Sequence, residues 1–161
     1  MPLKTSVVLA IDPGFDRVGV AVLEKNNVLF SDCIVTNRKD SQAKRLLAIK
    51  ISLEKIIKKW NPNVLAIEKL FFNQNTTNAL KVAEARGVIL VVAAENNLRV
   101  FEYSPQAIKI AVTGYGKATK NQVATMVKKL VKLPEKPSKR LDDEVDAIAL
   151  GITCLASQKG I

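Results

Sequence analysis

Two apolar runs, each ending near a carboxylate and separated by a long helical segment, restrict the fold of this chain more than any other feature. SVVLAID at 6–12 reads as a strand buried on both faces, and VLAIEKL at 64–70 is its counterpart. Between them, RVGVAVLEKNN and NVLFSDCIVT read as two further strands joined at Asn26–Asn27, which makes an antiparallel meander with the first. Asp40 or Ser41 then caps a helix to about Trp60. Its Leu46, Ile49, Leu53, Ile56, Ile57 and Trp60 recur at helical spacing, with lysines on the opposite face. A helical crossover between two buried strands makes those strands parallel neighbours. Their carboxyl ends then share one edge of the sheet, so Asp12 and Glu68 are expected side by side.

The remaining segments continue the alternation. A helix is expected from near Thr77 to about Glu95, with a disturbance at Gly87, and RVFEYS gives a fifth strand. Ser104 and Pro105 open another helix. TGYGKATKNQ is a loop, NQVATMVKKLV a helix, KLPEKPSKR a basic linker and LDDEVDAIALGITCLA a final helix. The expectation is an α/β fold: a mixed five-stranded sheet, with a three-strand antiparallel meander plus parallel strands, flanked by helices. One domain over residues 1–161 accommodates it.

The chain contains no histidine. This excludes Ser-His-Asp and Cys-His catalysis and HEXXH zinc sites, and leaves carboxylates, lysines and hydroxyls to carry any chemistry. Lys and Arg number 25 against 15 Asp and Glu, and the resulting +10 points to a polyanionic partner, nucleic acid first. Cys33 and Cys154 are far apart and in no metal-binding pattern, which fits packing residues in a reduced, cytoplasmic protein. The first ten residues lack a signal-peptide stretch, and no uncharged apolar run approaches the ~20 residues that span a bilayer, so no membrane is expected.

The final helix adds Asp143 and Asp146 at i, i+3, on one face, beside an apolar stripe of Val145, Ile148, Ala149 and Ile152. Each acid has a plain structural reading. Asp12 precedes a Pro-Gly turn, Glu68 can pair with a lysine, and Asp142, Asp143 and Glu144 suit a helix N-terminus. Brought together, however, Asp12, Glu68, Asp143 and Asp146 repel one another unless a cation neutralises them. Carboxylates favour hard Mg²⁺ or Mn²⁺ over zinc, and two such ions about 3.5–4 Å apart suit a phosphodiester. Asp142 competes with Asp143 for the ligand position if the helix register differs.

AIDPG at 10–14, AIEKLFF at 66–72, ALKVAEARG at 79–87, SPQAIKIAVTGYGKATKNQV at 104–123 and DEVDAIAL at 143–150 together resemble the RuvC crossover junction endodeoxyribonucleases, of the ribonuclease H-like superfamily. The resemblance implies that Asp12, Glu68, Asp143 and Asp146 are catalytic acids holding two Mg²⁺ ions, with Mn²⁺ as a substitute. It also implies that Lys109 and Lys120 contact DNA near the cut, Lys120 with a catalytic role. Lys117 lies in the same glycine-containing loop, where Gly114 and Gly116 let a phosphate approach. Phe71, rather than Phe72, is the expected wedge at the junction centre, and Arg86 is a structural or phosphate-binding residue. The implied activity is paired hydrolysis of four-way (Holliday) junction strands, giving 5′-phosphate and 3′-hydroxyl ends. A homodimer working with the branch-migration proteins RuvA and RuvB is implied as well. A nuclease on RNA–DNA hybrids and a non-catalytic junction-binding protein are the alternatives.

Overall fold

The computed structural model describes residues 5–70 and 76–158. Five strands form one sheet in the order β3-β2-β1-β4-β5: β1 (Val7–Asp12), β2 (Arg17–Glu24), β3 (Asn27–Val35), β4 (Val64–Glu68) and β5 (Arg99–Tyr103). β1 to β3 are antiparallel, and β1 pairs parallel with β4, as β4 does with β5. The crossover α1 (Gln42–Trp60) is capped by Ser41, whose side chain accepts from Lys44 N, and closed by Asn61 in the left-handed conformation. α2 (Thr76–Glu95) runs through Gly87 without interruption. It is followed by α3 (Pro105–Thr113), α4 (Lys120–Leu130) and α5 (Asp142–Gln158).

Alternation along the strands decides which side of the sheet each residue serves. Leu9, Ile11, Val18, Val20, Val22, Leu65 and Ile67 face α1 and α2, where they pack with Ile49, Leu53, Ala85 and Ile89. Val8, Ala10, Ala21, Leu23, Val64 and Ala66 face the other way, toward α3, α4 and α5. That second face is lined by small residues, so α5 lies close to it. A Cβ on Gly19 would stand 1.9 Å from the Asp143 carbonyl oxygen, and one on Gly151 would stand 2.2 Å from Leu23 Cδ1. Asp12 continues the parity of Val8 and Ala10, and Glu68 that of Val64 and Ala66. Both acids therefore emerge on the α5 side.

Several local expectations change. The β2–β3 turn lies at Lys25–Asn26, with Lys25 at φ 56°, one residue earlier than the paired asparagines indicated. β4 ends at Glu68, not at residue 70. On α5 the fully buried stripe is Ala147, Ile148, Ala149, Leu150, Cys154 and Leu155, while Val145 and Ile152 are half-buried at its margin. Gly114 is the left-handed C-cap of α3 at φ 76°, a backbone position that by itself favours glycine. The basic segment before α5 is not a free linker. Lys132 bridges to β3, while Lys136 and Arg140 pair with Glu144.

Candidate active site

Parallel β1 and β4 bring their carboxyl-terminal acids to neighbouring positions, one step beyond the Ile11–Ile67 pair. The Asp12 and Glu68 carboxyl groups face the same trough, and the charge of Glu68 raises the Asp12 carboxyl. α5 crosses the same edge and adds Asp143 and Asp146 from its first two turns. These four acids, with Lys109 of α3 and Lys120 of α4, line one open trough of about 440 Å³. Lys120 Nζ stands 4.0 Å from Asp146 Oδ2. Asp142 is exposed and does not line the trough.

The trough concentrates negative charge in a poorly solvated place. Burial pushes the Asp12 carboxyl up to about 8, assisted by the charges of Glu68, Asp146 and Asp143 and opposed by Lys120. Burial also raises Glu68, with Asp146 adding to it, and raises Asp146, where Lys120 opposes. Asp143 Oδ2 is buried and makes no hydrogen bond, although Arg17 Nε stands 3.0 Å away as an ion partner. Protons or cations stabilise such a group. Among the described residues, no three acidic or cysteine side chains form a finished metal cage. The donor set nevertheless fits Mg²⁺, which keeps several waters and needs only one or two protein carboxylates.

The other candidates are dispersed. Arg86 lines the adjoining hollow, which also contains Asp12, Glu68 and Lys69, and it pairs with Glu102 at 2.9 Å. Its Nε is buried without a hydrogen-bond partner. Lys117 is exposed on the α3–α4 loop, outside the trough. Phe71 and Phe72 lie outside the described residues.

Three features around the acids had no sequence signal. Arg17 pairs with Asp143 from the start of β2. Glu144, only 1% exposed, accepts from Ser31 Oγ at 2.7 Å and Lys136 Nζ at 3.0 Å and pairs with Arg140, fixing the first turn of α5 against β3. Arg45 is buried under the turn that follows Asp12. It donates to Thr36 Oγ1 at 2.9 Å, to the Phe15 carbonyl at 3.4 Å and to the Asp16 carboxylate, with its guanidinium 3.7 Å from the Phe15 ring centroid. It sits on an amphipathic helix at a position that spacing assigns only to the apolar face.

Known proteins match this arrangement along most of the chain. The family model described as crossover junction endodeoxyribonuclease RuvC matches residues 8–154. The RuvC protein of Petrotoga mobilis is 44% identical over 147 residues, covering 89% of each chain. That of Halothermothrix orenii is 43% identical over 150 residues, covering 91% of this chain and 90% of the relative. Among solved structures, Thermus thermophilus RuvC in complex with a Holliday junction substrate superposes with a TM-score of 0.88 at 29% identity, covering 96% of both chains. The yeast mitochondrial Holliday junction resolvase Ydc2 shares the fold at a TM-score of 0.74 and 14% identity, over 97% of this chain and 80% of its own.

Proposed function

Since this chain belongs to the RuvC family of crossover junction endodeoxyribonucleases, we propose that it resolves four-way DNA junctions by divalent-metal-dependent hydrolysis of paired, symmetry-related strands. The products carry 5′-phosphate and 3′-hydroxyl ends. One observation carries the reading: four carboxylates from β1, β4 and α5 line a single trough together with Lys109 and Lys120. The acids suit a cation-assisted cut, and the lysines suit the phosphates of a strand laid across it.

Asp12, Glu68, Asp143 and Asp146 would hold two Mg²⁺ ions, or Mn²⁺ in their place. When bound, the ions supply water activation and neutralise charge at the leaving 3′ oxygen. The chain's own residues fix the geometry. The parity of β1 and β4 aims Asp12 and Glu68 at α5, and the Glu144 network fixes the turn that carries Asp143. Lys120, beside Asp146, is placed to stabilise charge developing on the scissile phosphate, and Lys109 to hold an adjacent one. Arg86 and Lys117 extend the phosphate contacts. Phe71 is assigned the role of stacking on an unpaired base.

Residues 1–161 act as one nuclease domain in this reading, and two copies form a homodimer whose paired sites match the two-fold symmetry of the junction. Exposed Leu80 and Val91 on α2 provide apolar surface for that pairing. No described helix is long and apolar enough to cross a membrane. We place the protein in the cytoplasm, working with RuvA and RuvB.

The decisive experiment compares cleavage of a synthetic four-way junction, an RNA–DNA hybrid and linear duplex, with and without Mg²⁺, for wild type and Asp146→Asn. Junction-selective nicking that needs both Mg²⁺ and Asp146 is expected. Nicking in chelator, or an unaffected variant, overturns the mechanism. Preference for the hybrid overturns the substrate.

A further inference from the structure

On the far side of the Asp12 turn lies a second hollow, of about 490 Å³, bounded by Phe15, Asp16, Arg38, Arg45, Lys81 and Val82. Its rim carries three cations against one carboxylate. Arg45 is immobilised by Thr36 and the Phe15 carbonyl, so its guanidinium keeps one orientation. Lys81 Nζ is held 5.1 Å from the centroid of the same Phe15 ring. Arg38, with its side chain 79% exposed, pairs with Asp16 at 2.9 Å and is the adaptable arm. A self-contained ion cluster would match its charges. Here one carboxylate, Asp16, is shared by buried Arg45 and exposed Arg38, and the rim's three cations outnumber it by two.

The hollow also adjoins the depression beside the active site. Val82 borders both it and the neighbouring depression that contains Asp12, Glu68 and Arg86. Arg86 and Val82 thus stand between the acids and the Arg38–Lys81 hollow. We propose that this hollow is a phosphate subsite for the cleaved strand, seating a backbone phosphate between Arg38 and Lys81 over the fixed Arg45 guanidinium. The proposal rests on the nuclease reading above and names a further contact of that substrate. Asp16 lies four residues beyond Asp12, a reach of at most about 14 Å. At roughly 3.4 Å per nucleotide along one strand, the seated phosphate lies within about five nucleotides of the cut.

The test pairs a protein change with a phosphate change. Junctions carrying one uncharged methylphosphonate, at each of the six phosphates on either side of the mapped cut, are bound in chelator by wild type and by the Arg38→Gln/Lys81→Gln double variant. A Lys55→Gln/Lys58→Gln variant removes the same charge from the exposed lysines of α1 and serves as the control. At one position within the five-nucleotide window, neutralisation should weaken wild-type binding severalfold and leave the double variant unchanged. The salt slope of the double variant should also fall by about 1 to 2. Wild-type binding with no such coupled position sinks the subsite alone, as does equal coupling in the control. Failure of the wild type to bind the unmodified junction sinks the subsite and the nuclease reading together.

Discussion

Asp12 and Glu68 stand side by side at the carboxyl ends of two parallel strands and line the same trough. Two carboxyls in that relation need a proton between them or a cation beside them. Asp146 and Asp143 add their charges to Asp12, and among the described residues Lys120 opposes. The site is thus built as a deficit of positive charge, and what fills the deficit changes with pH and with divalent ions.

Asp12 is pushed up to about 8 from an ordinary value of 3.8. Between those values the folded, ion-free chain retains a proton that the unfolded chain has lost, so stability falls as pH rises across that window. In chelator the melting temperature should drop between about pH 4 and about pH 8, at roughly 2–4 °C per kcal/mol for a chain of this size. Asp12→Asn should flatten the profile. Added Mg²⁺ should restore the wild type at the alkaline end, with proton release on binding readable by calorimetry in buffers of different ionisation enthalpy. A wild-type profile that matches the variant removes Asp12 from this role.

Asp146→Asn should lower nicking by at least about 10²-fold while junction affinity in chelator stays within about threefold, since chemistry and phosphate contacts are carried by different residues. Gel-shift and single-turnover measurements on the same preparation separate the two. Parallel loss of binding would show that the acid serves recognition instead.

Lys120 stands 4.0 Å from Asp146, with its side chain 79% exposed. Lys120→Ala should reduce the single-turnover rate by about 10²–10³-fold, the range for removing a group that stabilises transition-state charge. A reduction confined to affinity would reassign it to phosphate binding.

Glu144 is the buried anion of the α5 network, with Lys136 and Arg140 as partly solvated partners. Glu144→Ala should cost about 2–3 kcal/mol in urea unfolding, below the roughly 3–5 kcal/mol of a fully buried pair because both cations reach solvent. Glu144→Gln, which keeps the Ser31 contact in reach, should cost less.

Gly19→Ala tests the closeness of β2 to α5. The added carbon would meet the Asp143 carbonyl oxygen at 1.9 Å, so the backbone must move. A destabilisation of about 1–3 kcal/mol is expected. Mg²⁺ affinity should fall beyond what the lost stability explains, because Asp143 moves with its backbone. Unchanged affinity in the folded variant would show that the helix start is free to adjust.

Sequence order and apolar patterning made the sheet legible. The crossover between SVVLAID and VLAIEKL dictated the β1–β4 pairing, and the caps Ser41 and Ser104 stand where a polar residue precedes an apolar helix. The meeting of Asp12 and Glu68 followed from the same step. The supports around them were not legible. Arg45 reaches a partner 29 residues away and Glu144 one 113 residues away, and no local pattern encodes an ion pair or hydrogen bond over that separation. The positive φ of Gly114 belongs to the end of α3, a cap that the flanking glycine-containing loop does not announce. Glu144 was grouped with Asp142 and Asp143 as a helix-start acid, although only a folded β3 supplies the Ser31 that takes it inward.

The odd–even alternation of β1 has an arithmetic consequence. Valine at 8, alanine at 10 and aspartate at 12 form a count by twos, and the acid's destination is set by that count rather than by any property of the acid. One residue inserted between Ala10 and Asp12 would turn the carboxylate toward the greasy side occupied by Leu9, Ile49 and Leu53, whereas an insertion in the Lys25–Asn26 hairpin would leave the acid where it is.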